Sequence, residues 1–141
     1  MAITEAHAGR QYPPIAPYAI SAEKIVEFAR ALGDESPHYR GERPVAPPTF
    51  AAMISSPAWQ LMFDDPELEL ALRRIVHGDQ RFDYARPLQA GDVVSASLTI
   101  DKVRLRAGSE IISSSVVIAG IDGSPRCTTT ATFVHSRTAA A

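Results

Sequence analysis

Residues 49 to 63 read TFAAMISSPAWQLMF, and apolar side chains occupy nearly every side of this run when it is drawn as a helix. A helix that is apolar all round belongs inside a protein core. Pro48 suits its first turn, where the missing proline N–H costs no hydrogen bond. Pro57 lies inside the run and removes one backbone hydrogen bond, which predicts a kink or a break near Ser55 or Ser56. We therefore expect a buried helix that the rest of the chain must cover.

The second half of the chain changes to the two-residue period of β-strands. The alternation starts in Leu72 to Tyr84 and continues on one face through Val94, Ala96, Leu98 and Ile100. Turn formers at residues 106–109 and 121–124 separate the apolar runs, and the Asp-Gly pair in the second turn is a strong hairpin signal. The last strand is expected from Arg126 to about Ser136. This order predicts an α+β protein with a single hot-dog fold, a long central helix wrapped by an antiparallel β-sheet.

The first half of the chain is irregular and rich in proline, with one predicted helix. Residues 11–20 are expected to be extended, because prolines disfavour helix for themselves and for the residues before them. Ser21 is a good N-cap, apolar residues follow at helical spacing, and Gly33 supplies a stop. Residues 34–48 are expected to form an ordered loop. We predict one domain over residues 1–141, flexible at 1–10 and 138–141.

Composition and charge exclude several classes of function. Hydrophobic residues make up 45% of the chain and charged residues 21%, which is ordinary globular usage. The net charge is −2 and the Lys and Arg residues are scattered, so no basic stripe awaits nucleic acid. Cys127 is the single cysteine, which excludes an intrachain disulfide and a cysteine metal site. With no leader pattern and no apolar run of about 18 residues, we expect a soluble, cytoplasmic protein that does not enter membranes.

Three segments carry a resemblance to a known family. Gly33-Asp34-Glu35-Ser36-Pro37-His38-Tyr39 resembles the G-D-x-N-P-x-H motif of MaoC-like (R)-specific enoyl hydratases and (3R)-hydroxyacyl dehydratases. Val45-Ala46-Pro47-Pro48-Thr49-Phe50 and the R-P-x-x-A-G-D run of residues 86–92 follow in the order of that family. The stretch HGDQRFDY at residues 77–84 resembles the FAS1-like dehydratase branch, also called the MaoC N-terminal domain.

The resemblance implies a hot-dog dimer acting on acyl thioesters, in which the motif Asp and His handle water and protons. A backbone N–H at the start of the central helix holds the thioester oxygen, where it stabilises developing enolate charge. In this chain the motif Asp is Asp34, but Tyr39 stands where the family has its His. His38 is one place early and is the remaining imidazole candidate. The helix start reads Pro47-Pro48 where the family has His-Gly, and proline has no N–H to donate.

These departures are similar to those of the non-catalytic member of heterodimeric MaoC-like dehydratases. They imply a chain that binds the acyl thioester while a second hot-dog subunit with an intact motif supplies chemistry. The expected catalytic-type residues are Asp34 and His38, and the expected substrate-binding residues are Tyr39, Pro47, Pro48, Thr49, Phe50 and His77. No metal and no cofactor are expected, apart from the CoA or acyl-carrier-protein phosphopantetheine that carries the substrate. The expected partner is a second copy or a sister hot-dog chain, since an open sheet edge favours such pairing.

Other interpretations of the same residues stay open. Asp34 can serve only as a turn acceptor after the helix-ending glycine. His77, Asp79 and Arg81 alternate on one strand face, as a pocket lining or as a solvated face. Trp59, Met53, Met62 and Phe63 can line an acyl tunnel or form simple core. The chain can also be a self-sufficient homodimeric dehydratase or thioesterase that uses Asp34 with His38 or His77, or a non-enzymatic acyl-binding protein.

Overall fold

The computed structural model describes residues 2–137, which form one antiparallel sheet, two α-helices and three short 3₁₀ turns. The sheet order is β1-β3-β4-β5-β2, and each neighbouring pair is antiparallel. The helices and strands are α1 Ala22–Ala31, α2 Phe50–Phe63, β1 Tyr18–Ala19, β2 Ile75–Tyr84, β3 Val93–Arg106, β4 Ser109–Gly120 and β5 Pro125–Ser136. The 3₁₀ turns are Glu5–His7, Pro37–Tyr39 and Leu72–Arg74. This is the expected α+β hot-dog arrangement.

The central helix α2 packs on the inner faces of β3, β4 and β5. Its inward residues are almost fully enclosed, and Phe50, Ala51 and Ala58 are 0% exposed. The predicted inward face of β3 is confirmed, because Val94, Ala96, Leu98 and Ile100 are all buried. Alternating burial along the strands therefore supplies the apolar floor that an all-round apolar helix requires.

Of the kink or break expected near Ser55 or Ser56, the break is absent, because α2 is helical without interruption from Phe50 to Phe63. Pro57 lies on the exposed side of the helix, where its ring displaces no core side chain. Ile54 and Ala58, on the buried side, hold the helix against the sheet on both sides of the proline. Tertiary packing thus compensates for the missing backbone hydrogen bond. The predicted strand at Leu72 also begins later, at Ile75, after a 3₁₀ turn.

Local sequence signals predict α1 and the hairpins correctly. The Ser21 hydroxyl accepts the Lys24 N–H at 3.1 Å, and Gly33 has a φ of 70°, as a helix stop requires. The β3–β4 connection is the two-residue turn Ala107-Gly108, with φ angles of 41° and 82°. Positive φ at both central residues is the turn geometry that matches the twist of a hairpin.

The expectation that residues 1–10 are flexible is wrong for residues 2–10. Ile3 is 1% exposed and its N–H donates to the Leu68 carbonyl at 3.0 Å. The Gly9 N–H donates to the Ile100 carbonyl at 2.6 Å, so the segment lies along β3. A composition of small and polar residues hides this, because the contacts are made with residues far away in the sequence. Residues 138–141 lie outside the described part of the chain.

Asp65 fastens the N-terminal segment to the loop after α2. Its carboxylate accepts hydrogen bonds from the Tyr12 hydroxyl at 2.6 Å and from Arg10 at 2.8 Å. Burial raises the pKa of Asp65, but the bonds from Tyr12 and Arg10 outweigh it and hold the pKa below the ordinary 3.8. Burial, followed by the hydrogen bond to the same carboxylate, raises the pKa of Tyr12 well above 10.

Asp65→Asn is expected to lower the free energy of unfolding at pH 7 by about 2 kcal/mol, since hydrogen bonds to charged groups contribute about 1.5–3 kcal/mol. The folded-state pKa lies below the unfolded value, so the carboxylate stabilises the fold fully above pH 3.8. That contribution disappears as the pH falls through the lower folded-state pKa. Urea unfolding of both proteins from pH 7 to pH 3 measures the difference. A difference that grows toward low pH would contradict this account, and Glu42→Gln, an exposed carboxylate outside this cluster, serves as control.

Candidate functional site

The three family-like segments, separate in the sequence, are joined by backbone hydrogen bonds. The Val45 N–H donates to the His38 carbonyl at 2.8 Å, which closes the motif loop. The Ala46 N–H donates to Leu88 at 2.7 Å, and the Ala90 N–H donates to Pro44 at 3.0 Å. The R-P-x-x-A-G-D turn therefore holds the entry of α2 in place beside the motif loop.

Asp92, the last residue of that turn, has a structural role. Its carboxylate accepts the Gln89 N–H at 3.0 Å and a bond from Arg86 at 3.2 Å. Arg126 lies 3.8 Å away on β5, and Asp92 and Arg126 are each 8% exposed. The aspartate thus closes its own turn and anchors it to the sheet, so it is not a free acid or base.

Asp34 is exposed and already holds a turn. Its Oδ1 accepts the Ser36 N–H at 3.0 Å, and its own N–H donates to the Ala29 carbonyl at 3.0 Å. It lines a small surface pocket of about 110 Å³ between α1 and the motif loop, together with Arg30, Tyr39 and Arg40. The turn-acceptor interpretation of Asp34 describes these contacts fully.

His38 and Tyr39 follow each other in the 3₁₀ turn Pro37–Tyr39, which points consecutive side chains in different directions. His38 is exposed, whereas Tyr39 is partly buried against the hydrophobic core. No hydrogen bond joins the His38 ring to Asp34 among residues 2–137. The structure therefore does not assemble an Asp and His pair in this motif.

The start of α2 offers few free N–H groups. Pro47 and Pro48 have none, and the Phe50 N–H is already bonded to the Pro47 carbonyl at 2.9 Å. Thr49 is the N-cap residue, but its side chain makes no capping bond. Phe50, an expected substrate-binding residue, is 0% exposed, and its ring lies 5.3 Å from that of Phe28. Within this chain Phe50 is a core residue that joins the two helices.

Tyr84, at the end of β2, is a site residue that sequence reasoning missed. Its hydroxyl donates to the Pro48 carbonyl, directly at the entry of α2. Burial, followed by the neighbouring Cys127, raises the pKa of Tyr84 well above 10, so the phenol stays protonated as a donor. Burial likewise raises the pKa of Cys127 to about 11. Strand alternation could have placed Tyr84 on the helix side, but the bond to Pro48 depends on tertiary packing.

Tyr84→Phe is expected to lower the free energy of unfolding by about 1 kcal/mol, the usual net value of one hydrogen bond. The ring stays in place, so the change isolates the hydroxyl that the Pro48 carbonyl accepts. Chemical denaturation measures the loss, with Tyr18→Phe as the matched control on β1. Equal effects of the two substitutions would contradict a special role for the Tyr84 hydroxyl.

His77 lies beside the second half of α2. Its ring is 5.2 Å from that of Trp59 and 4.9 Å from that of Phe133. The rise of α2 from Pro48 to Trp59 is about 16 Å, so His77 is remote from the helix entry. A register shift between His77 and Asp79 breaks the expected alternation, and His77 does not share a face with Asp79 and Arg81. His77 pairs with Phe133 and Gln80 with Ala131, both inward residues, whereas Asp79 pairs with Thr132.

The four large apolar residues singled out on α2 divide between core and groove. Met62 is 0% exposed, and Trp59 and Phe63 pack edge-on against Phe133. Met53 instead lines a groove of about 420 Å³ with predominantly apolar walls. The other residues that line the groove are Ile15, Ala16, Pro17, Tyr18, Lys24, Ile54 and Pro57.

Two kinds of site are not found within residues 2–137. No cluster of three or more His, Cys, Asp or Glu side chains is arranged to hold a metal ion. None of the helices in this part of the chain is long and apolar enough to span a bilayer.

The fold and the joined segments define a hot-dog protein of the MaoC-like hydratase/dehydratase class, and comparisons with known proteins agree. A family model described as "FAS1-like, dehydratase domain region" matches residues 6–122. A UPF0336 protein of Cutibacterium acnes is 47% identical over 137 residues, which cover 97% of this chain and 96% of that protein. The chain therefore belongs to the FAS1-like dehydratase region family.

Solved structures show the same fold. A chain of the HadBC (3R-hydroxyacyl-ACP dehydratase) complex of Mycobacterium tuberculosis superposes with a TM-score of 0.80 at 25% identity. The match covers 91% of this chain and 96% of that one. A MaoC-like dehydratase matches with a TM-score of 0.83 at 25% identity, over 94% of this chain and 43% of its own length.

Proposed function

We propose that this chain is the acyl-thioester-binding subunit of a two-chain (R)-specific enoyl hydratase or (3R)-hydroxyacyl dehydratase. The observation that carries the proposal is the entry of α2, where Pro47 and Pro48 lack N–H groups and the Tyr84 hydroxyl bonds the Pro48 carbonyl. With Tyr39 in the histidine position as well, both the oxyanion donor and the imidazole base of the family are missing. A partner hot-dog chain with an intact motif supplies them.

The surfaces of the chain suit such a role. The apolar groove beside Met53, of about 420 Å³, lies within the size range of ligand pockets, about 300–1,000 Å³. The outer edge of β2 has no strand paired with it in the described part of the chain, so its backbone can accept a second sheet. The HadBC complex is an example of a solved structure with this fold that contains two kinds of chain.

The substrate in this proposal is a 2-enoyl or 3-hydroxyacyl group on CoA or on the phosphopantetheine of an acyl carrier protein. The reaction adds water across the double bond, or removes it, and needs no further cofactor. A reduced single cysteine and a CoA-linked substrate suit a cytoplasmic location.

Co-expression with a MaoC-like chain that carries an intact G-D-x-N-P-x-H motif tests the proposal. The purified complex is expected to hydrate crotonyl-CoA or a longer enoyl-CoA, whereas the isolated chain stays at background. The partner chain purified alone gives the reference rate with which the rate of the complex is compared. Strong hydratase or thioesterase activity of the isolated chain, lost in Asp34→Asn, would instead establish a self-sufficient enzyme. Acyl-CoA binding without activity in either preparation would establish a non-enzymatic binding protein.

A further inference from the structure

Resting on the proposed two-chain enzyme, we infer that His77 is a positioning residue whose Nδ1 accepts a hydrogen bond from the partner hot-dog chain paired along β2. The motif loop and the entry of α2, on which the proposed function rests, do not involve this histidine. Its location, the hydrogen bonds of Gln80 and the open strand edge carry the inference.

The location comes from the bulge in β2. The register shift after His77 turns both His77 and Gln80 toward the helix side of the sheet. The His77 ring packs against Trp59 and Phe133, which fixes its plane, yet the residue is exposed at the sheet edge. An imidazole that is held by aromatic neighbours and remains accessible is already oriented for a contact from outside the chain.

The hydrogen bonds of Gln80 determine which ring nitrogen carries the proton. The Gln80 amide nitrogen donates to the Thr130 carbonyl at 3.1 Å and to the Arg81 carbonyl at 3.2 Å. Its oxygen therefore faces His77 Nε2, 3.0 Å away, and an amide oxygen can only accept. Nε2 of the neutral ring must carry the hydrogen, which leaves Nδ1 with a lone pair.

That lone pair has no donor among residues 2–137, and β2 is the long strand whose outer edge is open. The opposite edge is covered, because the N-terminal segment pairs with β3 through the Tyr12 and Ile15 N–H groups. A chain that extends the sheet therefore pairs with β2. A backbone or side-chain N–H of that chain donates the hydrogen bond that Nδ1 accepts. Val76, 65% exposed, precedes His77 on the same strand and adds apolar area along the open edge.

Three substitutions separate the two ring nitrogens. His77→Asn keeps an acceptor near the Nδ1 position, His77→Gln keeps a polar group only near Nε2, and His77→Phe keeps the ring without either nitrogen. The dissociation constant of the complex with the intact-motif chain is measured for each, and thermal unfolding checks that each variant is folded. We expect the dissociation constant of His77→Asn to lie within about threefold of wild type. The His77→Gln and His77→Phe variants are expected to bind the partner about tenfold more weakly, which corresponds to about 1.4 kcal/mol.

The tautomer is tested in the chain alone by ¹⁵N NMR of the imidazole, which distinguishes a protonated Nε2 from a protonated Nδ1. A protonated Nδ1, or equal affinity of the wild-type and Phe variants for the partner, overturns the inference and leaves the proposed function intact. If the wild-type chain binds no intact-motif subunit, the proposed function is overturned and the role of His77 falls with it.

Discussion

Asp34→Asn in this chain is expected to leave the hydratase rate of the proposed two-chain complex within about twofold, whereas the same change in the motif of the partner is expected to lower it about 10²–10⁴-fold. The larger figure is the usual contribution of a positioned acid or base. Asp34 accepts the Ser36 N–H through Oδ1, and an asparagine keeps that acceptor, so the turn survives the change. The two Asp→Asn variants therefore remove the same charge, one from each chain, and show which chain supplies the catalytic acid or base.

Steady-state kinetics on an enoyl-CoA measures both variants, with the amount of complex checked by gel filtration. A loss of more than about tenfold from Asp34→Asn in this chain would show that its own motif loop, residues 33–39, takes part in catalysis. Asp34→Ala is a useful addition, because it removes the acceptor as well. A loss of hydratase rate in Asp34→Ala without a loss in Asp34→Asn would show that Asp34 acts by holding the turn.

Glu110→Ala is expected to lower the free energy of unfolding by about 3 kcal/mol, because it removes two hydrogen bonds to a charged group and leaves a buried imidazole N–H without its acceptor. Glu110 is 4% exposed; its Oε2 lies 3.0 Å from His135 Nδ1, and its Oε1 accepts a bond from Arg137. His135 Nε2 in turn accepts the Ala71 N–H at 3.0 Å, so Nδ1 is the nitrogen that donates to Glu110. The cluster ties β4 and β5 to the segment between α2 and β2.

Urea unfolding of the Ala variant measures the loss, and Glu110→Gln shows how much depends on charge. Glu27→Ala is the control, since Glu27 is paired with Lys24 at 3.6 Å on the surface of α1. That exposed pair is expected to contribute less than about 1 kcal/mol. A Glu110→Ala loss as small as that of Glu27→Ala would mean that the buried cluster is not a structural tie.

The sequence predicts much of the fold, because its signals are local. The Ser21 cap, the Gly33 stop and the Asp122-Gly123 turn each act within a few residues. The two-residue period predicts which face of β3 is buried for a similar reason, since alternation in a strand needs no knowledge of the neighbours. The motif comparison likewise needs only the order of the residues, and it places Tyr39 and Pro48 at the positions where the family has its His and Gly.

The candidate site is less predictable, because its contacts join residues far apart in the chain. Nothing near Tyr84 in the sequence indicates that its hydroxyl meets the Pro48 carbonyl, and a helical signal alone does not show that Phe50 is enclosed by Phe28. A single extra residue in β2 separates His77 from Asp79 and pairs it with Gln80, which strict alternation could not predict.

By itself, therefore, the sequence determined the hot-dog class and the order of its elements, and its resemblance to the family indicated where Tyr39 and Pro48 depart from the family motifs. Tertiary structure alone decided that residues 9–15 cover the edge of β3, that α2 continues through Pro57, and that the Tyr84 hydroxyl bonds the backbone at the entry of α2. It also decided that Gln80 lies within hydrogen-bonding distance of His77 Nε2. The physical reason is the same in each case: hydrogen bonds and packing between distant segments outweigh the weak local preferences of small, polar and proline residues.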